Sequence, residues 1–183
     1  MAAFFRQAPA EARGGPAWWL WRIGEDNPSE FEGYWPRVRS LWEWRAQEAS
    51  MADHSTDFDE EMTWFAHLPL VAPRQETMAS LWPLLEGMLP HITRTEYRNM
   101  GWHSVEKYLS TEVERDPVRA IQLYRLMHDQ LLKPRRYYPD EARKILETAA
   151  AYGDSRPEAL ALIDKIYRWG DSQFLDILEH YVG

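Results

Sequence analysis

The stretch that decides the fold class is YPDEARKILETAAAYGDSRPEALALIDKIYRWGDS, residues 138–172. It contains the junction aromatic–Gly–Asp–Ser twice, at 152–155 and at 169–172. In each junction we expect the aromatic residue to close one helix's apolar face, glycine to end that helix in the left-handed conformation, and Asp or Ser to cap the next. The junctions are 17 residues apart, which gives a two-helix unit of 34 residues, a size typical of helical-repeat solenoids. A helical bundle could contain the same junction twice by chance, so a bundle stays open as the alternative.

Apolar residues recur with helical spacing on both sides of these junctions. Phe174, Ile177 and Tyr181 fall on one helical face and predict a last helix over about 172–181. Proline or an N-cap residue opens each of the three helices before it, and glycine or proline ends each one. These three run from Asp116-Pro117 to Lys133-Pro134, from Pro139 to Gly153, and from Arg156-Pro157 to Gly170. Four less regular helices are predicted upstream, over roughly 36–50, 57–67, 75–89 and 95–114.

The aliphatic composition also favours helices. Leu and Ala together number 37, whereas the β-branched Val and Ile number 13, and no segment alternates apolar and polar residues. We therefore predict an all-α fold of right-handed stacked antiparallel helix pairs, an α-solenoid, with an irregular helical bundle as the second choice. A Trp-rich helical segment over 1–52 and a helical-repeat region over 53–183 are expected to form one continuous domain.

Composition excludes several classes of function. The 183 residues contain no cysteine, which excludes a disulfide scaffold, a thiol nucleophile, an iron–sulfur cluster and thiolate zinc sites. No apolar stretch approaches the ~20 residues of a membrane helix, and the N-terminus lacks signal-peptide features. We therefore expect a soluble cytoplasmic protein that is not bound to a membrane.

The net charge of −8 is concentrated in one part of the chain. Residues 53–92 carry 7 acidic and 1 basic side chains, whereas the two flanks are nearly neutral. Nucleic-acid affinity depends on clustered Lys and Arg, so the acidic total makes a nucleic-acid partner less favoured.

Six of the ten tryptophans lie between residues 18 and 44. Adjacent helical residues point about 100° apart, so Trp18, Trp19 and Trp21 cannot all face one core. Because Trp often anchors protein interfaces, this segment is a candidate docking site for a partner protein, an adjacent domain or a second copy of the chain. The alternative is that two layers of the same fold enclose it.

One predicted loop, 133–139, interleaves basic and aromatic residues. Such a loop could stack bases, pair with phosphates or bind an acidic partner. The alternative is an interhelical connection whose tyrosines pack inward while its basic groups stay in water. Its candidate interface residues are Lys133, Arg135, Arg136, Tyr137 and Tyr138.

Motifs for metal binding and catalysis are absent from the sequence. The acidic stretch 53–61 fails the calcium-loop pattern, because Phe58 stands where the loop needs glycine and Trp64 where it needs glutamate. His103 and Glu106 form a lone i, i+3 pair, whereas a carboxylate-bridged metal bundle needs two such pairs. No phosphate loop, dinucleotide motif or nucleophile elbow occurs. We therefore predict a non-catalytic protein without metal or cofactor.

Two segments, 116–127 (DPVRAIQLYRLM) and 138–170, resemble the HEAT-type helical repeats at the C-terminal ends of large multidomain bacterial proteins. These include defence proteins with a SIR2-like or NTPase domain upstream. The resemblance covers about residues 95–183, implies a HEAT/TPR-like fold in which repeats hold or sense a partner, and transfers no functional residue. The predicted function is therefore a protein-interaction or scaffold module, part of a bacterial defence or regulatory protein. A nucleic-acid-associated repeat protein using loop 133–138 is the alternative, and a motif-poor enzyme is third.

Overall fold

The computed structural model describes residues 2–9, 12–51, 56–92, 98–131, 135 and 138–182. All regular secondary structure in these ranges is helical, and they contain no strand. The predicted all-α class is thereby confirmed. No helix within the same ranges is long and apolar enough to cross a membrane.

The helices follow one another with short connections. Their bounds are α1 Ala2–Gln7, α2 Gly14–Asp26, α3 Pro28–Met51, α4 Thr56–Phe65, α5 Met78–Ile92, α6 Arg98–Glu112, α7 Pro117–Asp129, α8 Asp140–Ala151, α9 Arg156–Arg168 and α10 Leu175–Val182, with a short 3₁₀ helix at Leu68–Val71. Asp116 caps α7 as predicted, since its Oδ1 accepts a hydrogen bond of 3.1 Å from the backbone N–H of Arg119. Helix α3 begins eight residues before the predicted position, because Pro28 occupies the first helical position and Pro36 lies inside the helix.

The chain divides into two compact units, Met1–Val105 (unit 1) and Glu106–Gly183 (unit 2). The sequence suggested a segment boundary near residue 52 instead. In unit 1, α2 packs against α3 and α4, and α5 packs against α3 and α4. The Trp-rich helices therefore share a core with residues 56–92.

Two tryptophans of α3 belong to the core of unit 1. Trp42 is fully buried and its Nε1 donates a hydrogen bond to Sδ of Met88 at 3.1 Å. Trp35 is 4% exposed and its Nε1 donates to Oε1 of Glu76 at 2.7 Å. Both indole N–H groups are thus satisfied, as buried Trp requires.

A buried ion pair joins α3 to α4 in unit 1. The guanidinium of Arg45 donates from Nε to Oε1 of Glu61 at 2.8 Å and from Nη2 to Oε2 at 2.7 Å. Both side chains are almost completely excluded from solvent. Nη1 of Arg13, just before α2, lies 4.0 Å from Oε2 of Glu61. Burial raises the pKa of Glu61, and its contacts with Arg45 and Arg13 oppose that rise.

We predict that Arg45→Met destabilises the protein by about 3–5 kcal/mol, because it leaves the carboxylate of Glu61 buried without its bidentate partner. The double variant Arg45→Met/Glu61→Leu should recover most of that loss. The control is Arg22→Met, which removes exposed pairs with Glu25 and Asp26 and should cost at most about 1 kcal/mol. Urea unfolding gives the three values, and an equal loss for Arg45→Met and Arg22→Met would contradict the prediction.

In unit 2, α7 to α10 each pack against the next helix, and they also pack in the pairs α7 with α9 and α8 with α10. The two Gly–Asp–Ser junctions between them differ. At the second, Gly170 has φ +93° and ends α9 as predicted. Its N–H donates to the carbonyl of Tyr167 at 2.8 Å, and the N–H of Asp171 donates to that of Ile166 at 3.3 Å. This pairing is a Schellman motif.

The prediction for the first junction is wrong. Gly153 does not take a positive φ, because Tyr152, with φ −92° and ψ 132°, already turns the backbone out of α8. Ser155 also does not cap α9 with its side chain. Its buried Oγ instead donates a hydrogen bond of 2.7 Å to the carbonyl of Ala149, near the end of α8.

We predict that Gly170→Ala costs about 1–2 kcal/mol, because an L side chain is strained at its positive φ. Gly153→Ala is the matched control, since a Cβ added at either glycine meets no heavy atom within 4 Å. It should change the free energy of unfolding by less than about 0.5 kcal/mol. Equal destabilisation by the two variants in urea titrations would show that φ is not the cause.

Candidate functional site

Helix α2 turns one face to the core of unit 1. Ala17, Leu20 and Gly24 on that face are buried. A Cβ at Gly24 would lie 2.8 Å from Cβ of Val71, so only glycine permits this close approach to the 3₁₀ helix. The other sides of α2 are consequently held away from the core.

An apolar strip runs along α2 beside the buried face. Pro16, Trp19 and Ile23 stand at i, i+3 and i+7, the spacing of one helical face. Trp19 is 58% exposed and Ile23 41% exposed, while Pro16 is partly buried. We call these three residues the α2 strip. The ring of Trp18 meets that of Trp19 edge-on, with centroids 4.8 Å apart, and supports one side of it.

Trp21 points away from the strip. Its ring lies 5.1 Å from that of His67, which is also 5.2 Å from the ring of Trp64. Burial lowers the pKa of His67, and its Nδ1 is 3.0 Å from the carbonyl oxygen of Thr63. Of the three tryptophans singled out in the sequence, Trp19 is the one left mainly exposed, and its role in an interface stays a prediction.

The basic and aromatic loop is only partly described, since Lys133, Arg136 and Tyr137 lie outside the described residues. Arg135 and Tyr138 are both turned inward. Nη1 of Arg135 donates to Oε1 of Glu106, and its guanidinium carbon lies 5.2 Å from the centre of the Tyr138 ring. Tyr138 itself is 1% exposed. For Tyr138 this is the inward packing predicted as the alternative. Arg135 differs from both interpretations, because its guanidinium pairs with a buried carboxylate instead of staying in water.

Around Arg135 lies a group of buried polar side chains that we call the Glu106 cluster, comprising Glu106, Tyr124, His128 and Tyr138. Tyr124 donates its hydroxyl to Oε1 of Glu106 at 2.9 Å. The rings of His128 and Tyr138 are stacked, 5.7 Å apart and 8° from parallel. Oε2 of Glu106 has no hydrogen-bond partner among the residues that the structure describes.

Burial is the largest cause of the pKa shifts of Tyr124, His128 and Tyr138. It raises the pKa of Tyr124 and of Tyr138 above the usual tyrosine value, and it lowers the pKa of His128 to about 3. All four side chains are at most 1% exposed, so they hold unit 2 together and offer solvent no reactive group.

The Glu106 cluster was not predicted from the sequence. The sequence pairs Glu106 only with His103, yet His103 is exposed and Glu106 is fully buried. The contacts that form the cluster join residues 18 and 29 positions apart, and no periodic signal encodes such pairs.

No group of three or more His, Cys, Asp or Glu able to hold a metal occurs among the residues that were placed. Of the acidic stretch 53–61, residues 53–55 fall outside the described part of the chain. Glu61, the last residue of this stretch, forms an ion pair with Arg45.

Comparison of the chain with protein-family models, with curated proteins and with solved structures finds no match.

We predict that His128 makes the stability of the protein pH-dependent. Its pKa in the folded state lies below that in the unfolded chain, so unfolding takes up a proton at mildly acid pH. Its contribution is complete above about pH 6.5 and is lost as the pH falls toward 3. From about pH 7 to about pH 5, the wild type should lose about 2 kcal/mol more than His128→Gln in urea unfolding. Parallel pH profiles for the two proteins would exclude this role.

Proposed function

We propose that the chain is a non-catalytic helical protein-interaction module whose partner binds at the α2 strip. The observation that carries this proposal is the exposure of Trp19 together with Ile23, one turn apart on the same helix face. Single exposed apolar residues are ordinary on protein surfaces, whereas an adjacent Trp and Ile form a contiguous apolar patch. Trp is also the residue type most enriched among interface anchors.

The rigidity of α2 supports this assignment. The adjoining face of α2 is buried, Gly24 fits the helix closely against Val71, and the ring of Trp18 supports Trp19. A side chain that is already held in place loses less conformational entropy on binding, which favours affinity. The strip is therefore suited to a preformed interface.

The packing of unit 2 supports a scaffold role. From α7 to α10, each helix packs against the following helix, and α7 also packs against α9 and α8 against α10. Helices α7 and α9 therefore form one layer, and α8 and α10 form the other. This is the pattern expected of stacked antiparallel helix pairs, and we propose a HEAT-like repeat arrangement for this unit. A part in a larger bacterial defence or regulatory protein remains the accompanying hypothesis.

The nucleic-acid alternative loses two of its proposed contacts. The guanidinium of Arg135 is paired with a buried carboxylate, and the ring of Tyr138 is enclosed. Neither group is placed to contact a phosphate or a base, and we rank this function second.

Site-specific photo-crosslinking tests the proposal. We expect a benzoylphenylalanine at position 19 to form a covalent adduct with one defined protein in cells that express the chain. The purified partner should then bind the wild type, and Trp19→Ala should weaken that binding by about 2 kcal/mol or more, the effect of an interface anchor.

The matched control is Tyr167 on α9, an aromatic residue that is 47% exposed. Benzoylphenylalanine at position 167 should not give the same adduct, and Tyr167→Ala should leave affinity unchanged. The same adduct from both positions, or a complex indifferent to Trp19→Ala, would refute the α2 strip as the binding site.

A further inference from the structure

We propose that the occupant of the α2 strip is a basic amphipathic segment of a partner protein, an apolar helix face bordered by Lys or Arg. This inference rests on the proposed function, because it names the chemistry of the partner that binds the same strip. Three observations support it: the form of the strip, the charge beside it, and the net charge of unit 1.

The form of the strip selects a helical or extended apolar segment. Pro16, Trp19 and Ile23 run along one side of a single helix, and Asp26 continues the same face at i+3 from Ile23. An elongated patch of this kind matches partner residues spaced i, i+3 or i+4, and i+7, the anchors of an amphipathic helix. The patch thus passes from apolar to acidic along its length.

The charge beside the strip is acidic. Helix α2 ends at Asp26 and α3 begins at Pro28, and four exposed acidic residues lie close to this turn along the chain: Glu25, Asp26, Glu30 and Glu32. We call these four residues the acidic corner. Arg22 neutralises part of it, since its Nη1 is 2.7 Å from Oε2 of Glu25 and its Nε is 3.1 Å from Oδ2 of Asp26.

The other two carboxylates of the acidic corner are available to a partner. Neither Glu30 nor Glu32 forms an ion pair with any residue that the structure describes, and both are exposed. Glu30, in the first turn of α3, is favoured locally by the helix dipole, whereas Glu32 lies beyond that turn. Glu30 and Glu32 flank the buried Phe31 and point to opposite sides of α3, so they act on a partner at the strip through space, at low salt. That attraction favours a basic amphipathic segment.

The net charge of unit 1 favours the same partner over other occupants. Residues 1–105 carry 15 acidic and 9 basic side chains, a net charge of −6. This charge repels polyanions such as nucleic acid and anionic membrane surfaces. A second copy of the chain would bring an identical acidic unit to the interface, which like-charge repulsion also disfavours.

The test uses three labelled synthetic peptides of about 14 residues that share one leucine pattern and carry Lys, Gln or Glu on the polar face. Fluorescence anisotropy measures their binding to the full chain at low salt. We expect the Lys peptide to bind at least about tenfold more tightly than the Gln peptide, and the Glu peptide to bind most weakly. The difference should shrink as salt is added, because exposed charges are screened.

Two sets of variants separate this inference from the proposed function. Trp19→Ala/Ile23→Ala should abolish binding of the Lys and Gln peptides alike. Glu30→Gln/Glu32→Gln should weaken the Lys peptide by about threefold to tenfold and leave the Gln peptide unchanged, since exposed ion pairs are individually weak. The charge-matched control in unit 2, Asp154→Asn/Glu179→Gln, should change neither.

The other possible results would overturn either the proposed function or the inference on its occupant. Binding that is indifferent to Trp19→Ala/Ile23→Ala overturns the proposed function together with the inference. Binding that needs Trp19 and Ile23 but is equal for the three peptides overturns the inference alone, as does an equal effect of the two carboxylate variants on the Lys peptide. Self-association in sedimentation equilibrium that Trp19→Ala/Ile23→Ala abolishes would assign the strip to a second copy and overturn the inference.

Discussion

Unit 1 depends on a carboxylate in its interior. Glu61 of α4 is fully buried, and a buried charge is tolerated only where opposite charges and hydrogen bonds compensate for lost hydration. Arg45 of α3 supplies two hydrogen bonds to it, and Arg13 before α2 supplies a second cation at 4.0 Å. The ion pair therefore constrains α3 and α4 directly and the start of α2 through Arg13. With α2 so placed, the direction in which Trp19 points follows from the helical period.

The helix boundaries in unit 2 could be predicted from the sequence because local chemistry sets them. Asp116 and Pro117 open α7 through a side-chain cap and a fixed φ, and Gly170 ends α9 because it alone at that place accepts a positive φ. Each of these determinants acts within a few residues along the chain. The first junction shows the limit of the same reasoning, since the letters at 152–155 repeat the pattern while the backbone at Gly153 does not.

The contacts that decide which side chains are available could not be predicted from the sequence. The bonds of Arg135 to Glu106 and of Trp35 to Glu76 join residues 29 and 41 positions apart. A run of basic and aromatic letters does not reveal whether a guanidinium meets water or a buried carboxylate. The same is true of α2. The helical period shows that its three tryptophans cannot all face one core, but it does not show which of them is exposed.

The exposure of Trp19 is informative because other indoles of this chain are engaged. Trp35 and Trp42 donate hydrogen bonds in the core, and Trp21 packs against His67. Burial of apolar surface stabilises a protein by about 25 cal/mol for each Å², and an exposed Trp ring does not contribute this free energy. Helix α2 cannot turn Trp19 inward without turning Ala17 out of the core, since Trp19 points about 200° from Ala17 and about 100° from Leu20 around the helix. A partner that covers the strip gains that burial while α2 keeps its own packing, so the position of α2 in unit 1 makes Trp19 accessible to a partner.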